Sequence, residues 1–217
     1  NRFSVEAVDE LYEGIRLACE VYKVDLVGGD TTSSPSGLTL SVTAMGLAEP
    51  DALVGRDGSG DDDLLVVSGD LGAAYMGLQI LEREKTVFQA APTAQPELED
   101  FAYLLERQLK PEARVDVVRE MAELGLKPTS MIDISDGLSS EIMHLGTSSG
   151  VGFKVYEDKL PIDPKVYDTA REFNLDPTLC MLSGGEDYEL LFTVKQDDYE
   201  KVRNHPHTSS HHPMHSM

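Results

Sequence analysis

Positive charge is what this chain most lacks. Its 18 Lys and Arg face 39 Asp and Glu, a formal net charge of -21 over 217 residues. So acidic a surface argues against a nucleic acid as the main partner, because a phosphodiester backbone is met by clustered Lys and Arg. Phosphorylated small molecules stay open, since a divalent cation inverts the local field. Cysteine is nearly missing too. Cys19 and Cys180 form no close metal-type pair, and both lie in apolar stretches, so buried thiols are expected rather than a disulfide or a zinc site. No run approaches the ~18 apolar residues of a membrane span, and no signal peptide is visible. A soluble, cytoplasmic protein with no membrane partner is the expectation.

What is present suffices for a core. Hydrophobic residues make up 41% of the chain, and the length suits one large domain or two modest ones. We expect a partial amino-terminal α/β domain over 1–50, a linker over 51–63, a carboxy-terminal α/β domain over 64–203, and an atypical or disordered tail over 204–217. Ser4 is placed to cap a helix over Val5–Tyr22, whose apolar residues recur at helical spacing. Strands are expected over Lys23–Val27, from Leu38 toward Leu47, over Leu64–Val67, near Phe153–Val155 and over Tyr188–Val194. Further helices are expected over Leu71–Arg83, Glu97–Leu109, Val115–Leu124, after Leu138, over Lys165–Phe173 and from Asp198. Five of the six histidines lie in the tail, where His205, His207, His211, His212 and His215 have the chemistry to bind metal.

Three acidic glycine turns carry the chemistry. The central one follows Met131-Ile132-Asp133-Ile134: an apolar strand, the turn Ser135-Asp136-Gly137, then a helix at Leu138. Asp136 is thereby set beside a helix N-terminus, where a carboxylate can hold a cation. A second turn, Gly28-Gly29-Asp30-Thr31-Thr32, combines room for backbone approach with carboxylate and hydroxyl oxygens, the hard donors a magnesium–phosphate complex uses. The same residue types also build ordinary turns. The third, Ser183-Gly184-Gly185-Glu186-Asp187-Tyr188, runs into the strand at Glu189-Leu190-Leu191-Phe192; Glu186 and Asp187 could bind metal or accept a substrate hydrogen bond. Asp70 after Leu64–Val67 reads either as a helix cap or as a ligand contact. Arg56 is the one cation in a polar stretch that otherwise reads as a solvated linker.

In these three pieces and their order the chain resembles thiamine-monophosphate kinase, of the ATP-using superfamily that includes aminoimidazole ribonucleotide synthetase and selenophosphate synthetase. The resemblance runs from the first helix to about Arg203, and its last piece favours the thiamine enzyme. It implies an α/β (α+β), two-domain aminoimidazole ribonucleotide synthetase-like fold with an incomplete amino-terminal domain. The family's earlier Gly-Asp-Asp segment is not found before Asn1, and its closing strands are not found at the other end. The implied activity is transfer of the terminal phosphoryl group of ATP to thiamine monophosphate, with magnesium as cofactor and a homodimer as assembly. Asp30 and Asp136 would be the catalytic magnesium ligands. Gly29, Thr31 and Ser135 would support nucleotide phosphate or metal-bound water. Arg56 would contact phosphate from the interdomain loop, and Glu186 and Asp187 would lie on the substrate side. Another ATP-dependent enzyme of the superfamily, or a nucleotide- or metal-binding protein without turnover, are the rival expectations.

Overall fold

The structure is a computed structural model, and it describes residues 3–35, 37–93, 95–203 and 214–217. The chain divides into two compact units, Asn1–Leu47 and Ala48–Met217.

In the smaller unit, helix α1 spans Val5–Tyr22. The Ser4 hydroxyl accepts the Ala7 N–H at 3.2 Å, and Lys23 closes the helix in the left-handed region at φ 57°. Beyond it no described residue of 24–47 enters a strand ladder. That corrects the expectation of strands over Lys23–Val27 and Leu38–Leu47. A strand exists only through a partner, and alternating apolar residues do not supply one. Val24, Leu26, Val27, Leu38, Leu40, Val42, Met45 and Leu47 are accordingly exposed.

The larger unit holds a four-stranded sheet: β1 (Leu64–Ser68), β2 (Ser130–Asp133), β3 (Leu190–Val194) and β4 (Met214–Ser216), in the order β2-β3-β1-β4. All three pairings are antiparallel. Period-two alternation sends β1 and β3 side chains to both faces, and both faces are covered. Leu65, Val67, Ile132 and Leu191 join Ile134, Leu138, Leu145 and Met181 on one side. Val66, Phe192 and Val194 join Val117, Met121 and Leu126 on the other. Each large side chain so buried contributes about 1.5–3 kcal/mol.

The helices are α2 (Ala73–Ala90), α3 (Ala102–Leu109), α4 (Val115–Glu123), α5 (Leu138–Ser149), α6 (Pro164–Glu172), α7 (Pro177–Ser183) and α8 (Gln196–Arg203). Ala73, Met76 and Ile80 of α2 pack with Leu104, Val166, Ala170 and Cys180. The small residues of α2 permit that approach: a methyl group at Gly77 would sit 2.2 Å from the Leu104 carbonyl oxygen. Helix α7 has no counterpart in the sequence reading, although Asp176 caps it through the Thr178 N–H and Pro177 opens it. The expected strand near Phe153–Val155 forms no ladder. Both side chains pack against the core instead.

Two other regions differ from expectation. The polar stretch before β1 is not uniformly solvated: Gly55 accepts the Met131 N–H at 2.8 Å. Ser59, 7% exposed, shares hydrogen bonds of 2.6 and 3.1 Å with the Ser130 and Thr193 hydroxyls. In the tail, β4 lies along β1 and Met217 is buried. The metal-binding candidates His205, His207, His211 and His212 lie outside the described residues. His215 is in β4, and burial lowers its pKa. Cys180 is buried and Cys19 half-buried, and both thiols are free.

Candidate functional site

Antiparallel register decides which loops meet. Asp133, the last residue of β2, pairs with Leu190, the first of β3. The turn leaving β2 therefore lies against the turn entering β3, and the ladder continues into both. Ile134 donates its N–H to the Glu189 carbonyl at 2.8 Å, Tyr188 donates to the Ile134 carbonyl at 2.8 Å, and Glu186 donates to the Ser135 carbonyl at 2.8 Å. Two of the three acidic turns thus become one surface.

Glycines let them interlock. Gly137 has φ +109°, and a methyl group there would lie 2.9 Å from the Leu182 carbonyl oxygen. Gly185 has φ +69°, and its methyl would lie 2.7 Å from the Ser135 carbonyl oxygen. An L side chain meets both strain and collision at either place. Ser139 fastens the same junction by donating to the Leu182 carbonyl at 2.8 Å. Glu141, 2% exposed, reaches back from α5 and accepts the Asp136 N–H at 2.9 Å.

The outer face of this junction is acidic. Asp133, Asp136 and Glu186 are exposed, and Ser135 is half-buried. Tyr188 donates its hydroxyl to Glu186 Oε2 at 2.9 Å. That bond, then burial, then the negative charges of Glu186, Asp133 and Asp136 push the Tyr188 hydroxyl pKa up. Among the described residues, no group of three or more His, Cys, Asp or Glu side chains is arranged to hold a metal ion. A magnesium ion bound with nucleotide phosphates needs only one or two carboxylates, with phosphates and water completing its octahedron. Exposed Asp136 fits that demand.

The inner face is a buried ionic network. Glu189 is fully buried. Arg114 grips it in a fork, Nε to Oε2 at 2.7 Å and Nη2 to Oε1 at 2.5 Å. Arg107 Nη2 reaches Oε1 at 2.8 Å, and the Ser68 hydroxyl donates to Oε2 at 2.6 Å. Such charge-assisted forks are the strong class of hydrogen bond. Asp187 also turns inward and is 1% exposed. Its two oxygens lie 3.1 and 2.9 Å from the Gly72 nitrogen, at the start of α2. Burial pushes the Asp187 carboxyl up to about 7, against the opposing pull of the Gly72 N–H and Arg107. Asp70, beside it, accepts a hydrogen bond from Tyr103.

The remaining expected residues lie on other segments of the chain. Arg56 is exposed, and its carbonyl accepts from Ser149 at the far end of α5. That end lies about 16 Å along the helix from Asp136 at a 1.5 Å rise per residue. Gly29, Asp30 and Thr31 belong to the smaller unit. Gly29 and Asp30 are exposed, and Thr31 shares a 2.9 Å hydrogen bond with the Tyr12 hydroxyl of α1. Sequence reasoning missed Arg107, Arg114, Glu141 and Glu189 as parts of the site. Glu189 did leave a signal, a lone charge leading into the apolar run of β3.

Thiamine-monophosphate kinase of Aquifex aeolicus (strain VF5) is 35% identical over 189 residues, 87% of this chain and 57% of its own length. That of Bacillus subtilis (strain 168) is 30% identical over 206 residues, 94% of this chain and 58% of its own length. The chain is a homologue of the thiamine-monophosphate kinases. It spans less than two thirds of the length of these relatives. The solved structure of AaThiL complexed with AMPPCP and TMP superposes with a TM-score of 0.77 at 29% identity, covering 100% of this chain and 62% of that one. Residues 1–48 match the family model described as AIR synthase related protein, N-terminal domain. The fold is therefore the AIR synthase-like α/β fold. The two interlocked turns are the pieces that carry the thiamine-monophosphate kinase resemblance within the larger unit.

Proposed function

We propose that this protein phosphorylates thiamine monophosphate to thiamine diphosphate by direct, magnesium-assisted transfer from ATP. The observation that carries this reading is the junction of the Asp136 and Glu186 turns on one acidic, exposed surface. Support for the substrates comes from the Aquifex and Bacillus homologues and from the relative bound to AMPPCP and TMP.

Phosphoryl transfer asks mainly for positioning and for neutralisation of charge. The acceptor is a phosphate oxygen, already nucleophilic, so no strong general base is required. Asp136, whose N–H is tied to Glu141, holds its carboxylate at the start of α5, and we assign it to magnesium. Asp30 of the smaller unit is assigned the same role. When bound, magnesium neutralises the nonbridging phosphate oxygens. Ser135, Thr31 and the Gly29 backbone are assigned to phosphate or metal-bound water. Glu186, oriented by the Tyr188 hydroxyl, is assigned to the acceptor side. Asp187 takes a supporting part, because its carboxylate is committed to the Gly72 N–H. Arg56 stands far along α5 from Asp136 and receives no part in this cluster.

Among the described residues, no helix is long and apolar enough to cross a membrane. We place the protein in the cytoplasm, a reading supported by its two free thiols. We also assign it as a homodimer, since the exposed apolar side chains of Leu26, Val27, Leu38, Leu40, Val42, Met45 and Leu47 present a surface that a second copy would cover. Size-exclusion chromatography with light scattering tests that assignment, and a monomer at micromolar concentration overturns it. For the reaction, ATP, magnesium and thiamine monophosphate should yield thiamine diphosphate and ADP in equal amounts. Absence of ADP formation dependent on thiamine monophosphate overturns the activity.

A further inference from the structure

We propose that Arg107 is a positioning residue that clamps the Gly185–Tyr188 turn from beneath and so sets Glu186 against Ser135 and Asp136. This rests on the phosphoryl-transfer reading and adds to it a residue outside the sequence motifs.

The turn needs holding. Glu186 and Tyr188 are not glycines, yet they lie at φ 60° and 51°, in the left-handed region that side chains resist. Gly185 before them lies at φ 69°. So unfavourable a backbone persists only where its surroundings over-determine it. From outside, the turn has the two ladder bonds to Ser135 and Ile134. From inside, it has Asp187, whose carboxylate takes the Gly72 N–H and whose own carbonyl accepts from Arg107 Nη2 at 3.2 Å. The same nitrogen reaches the Asp70 carbonyl at 3.4 Å and Glu189 Oε1 at 2.8 Å. One guanidinium nitrogen thus joins the turn before β3, the turn before α2 and the buried charge of Glu189, just ahead of β3.

The two arginines divide the work. Glu189 keeps the Arg114 fork and the Ser68 hydroxyl if Arg107 is lost, so its charge remains compensated. What Arg107 adds to that charge pairing is the pair of carbonyl contacts to Asp187 and Asp70. Arg114 is therefore the charge partner of the core, and Arg107 the clamp of the turn. A lysine ammonium carries three donors, so it can retain the Nη2 contacts, whereas methionine fills the space without a donor.

The test compares Arg107→Met, Arg107→Lys and Arg114→Met in the full chain, by amide hydrogen exchange, thermal unfolding and steady-state kinetics. For Arg107→Met, exchange at the Glu186 and Tyr188 amides should quicken about tenfold or more while β1 and β3 core amides hold, as local opening requires. Its kcat should drop about tenfold with the KM for ATP little changed, the pattern of a lost transition-state interaction. Arg107→Lys should restore both to within about threefold. Arg114→Met should instead lower the unfolding temperature and quicken exchange throughout the sheet. The clamp is overturned if Arg107→Met exchanges uniformly faster, or leaves the two turn amides and kcat as they were, or if Arg107→Lys recovers nothing. If the unaltered protein makes no thiamine diphosphate, the kinase reading fails, and the exchange measurements still decide the clamp.

Discussion

Two stretches of this chain share one grammar and end in opposite states. Val24–Val27 runs into Gly28-Gly29-Asp30, and Met131–Ile134 runs into Ser135-Asp136-Gly137. The second becomes a strand edge with Ile132 and Ile134 buried, its turn locked to a neighbour. The first joins no strand ladder, with Val24, Leu26 and Val27 exposed. Composition does not separate them. What separates them is β3, which supplies the second set of backbone donors and acceptors and brings its own glycine turn. Extended apolar sequence is an offer of pairing, and the partner decides whether it is taken up.

The sharpest way to break the comparison is to add one methyl group to each turn. Gly137→Ala should destabilise by about 2–4 kcal/mol, combining a positive φ with collision against Leu182 and Ser183. Gly29→Ala, with nothing within 4 Å of the new methyl, should stay within about 0.5 kcal/mol. Urea titration of both variants checks the contrast, and equal losses would mean that the interlock matters little. Next in size is the carboxylate itself. Asp136→Asn should cut magnesium-dependent turnover about a hundredfold, the loss of one charge-stabilising group. Since Asp136 is exposed, its stability should shift by no more than about 0.5 kcal/mol. Turnover and urea midpoint, measured side by side, check that split.

A third test uses pH. The Asp187 carboxyl is raised from 3.8 to about 7 in the folded protein by burial. Between those values the folded state holds a proton that the unfolded state has released, so stability must fall as pH rises through that window. Burial raises Asp70 in the same direction and adds to the slope. The melting temperature should therefore decline from pH 5 to pH 7.5, and Asp187→Asn should flatten part of that decline while keeping an acceptor for the Gly72 N–H. An unchanged slope in the variant would show that Asp187 does not titrate there. Smallest is Ser4→Ala, which should cost α1 about 1 kcal/mol through loss of its cap. Circular dichroism during urea titration reads it.

Helix α1 was legible to the residue, because its cap, its spacing and its end are all local. The turn-bearing motifs were legible for the same reason, since a glycine beside an acid after an apolar run announces itself within a few residues. Strand β3 was legible as an element but not in its start. Tyr188 was expected inside the strand, but its backbone is left-handed and β3 begins at Leu190. Asp187 was expected to face a ligand, and it faces Gly72 instead, 115 residues away in sequence. The partners of Glu189 were out of reach altogether, 82 and 75 residues distant on segments whose own patterns are ordinary.

Sequence alone determined the capped helix, the acidic turns and the family they resemble, because each is written in neighbours along the chain. Only the tertiary structure decided which apolar stretches are strands, which acid points outward and which is buried, and that two arginines meet at Glu189. The physical reason is that pairing, burial and compensation of charge depend on groups distant in sequence, and antiparallel register is what carries them to one place.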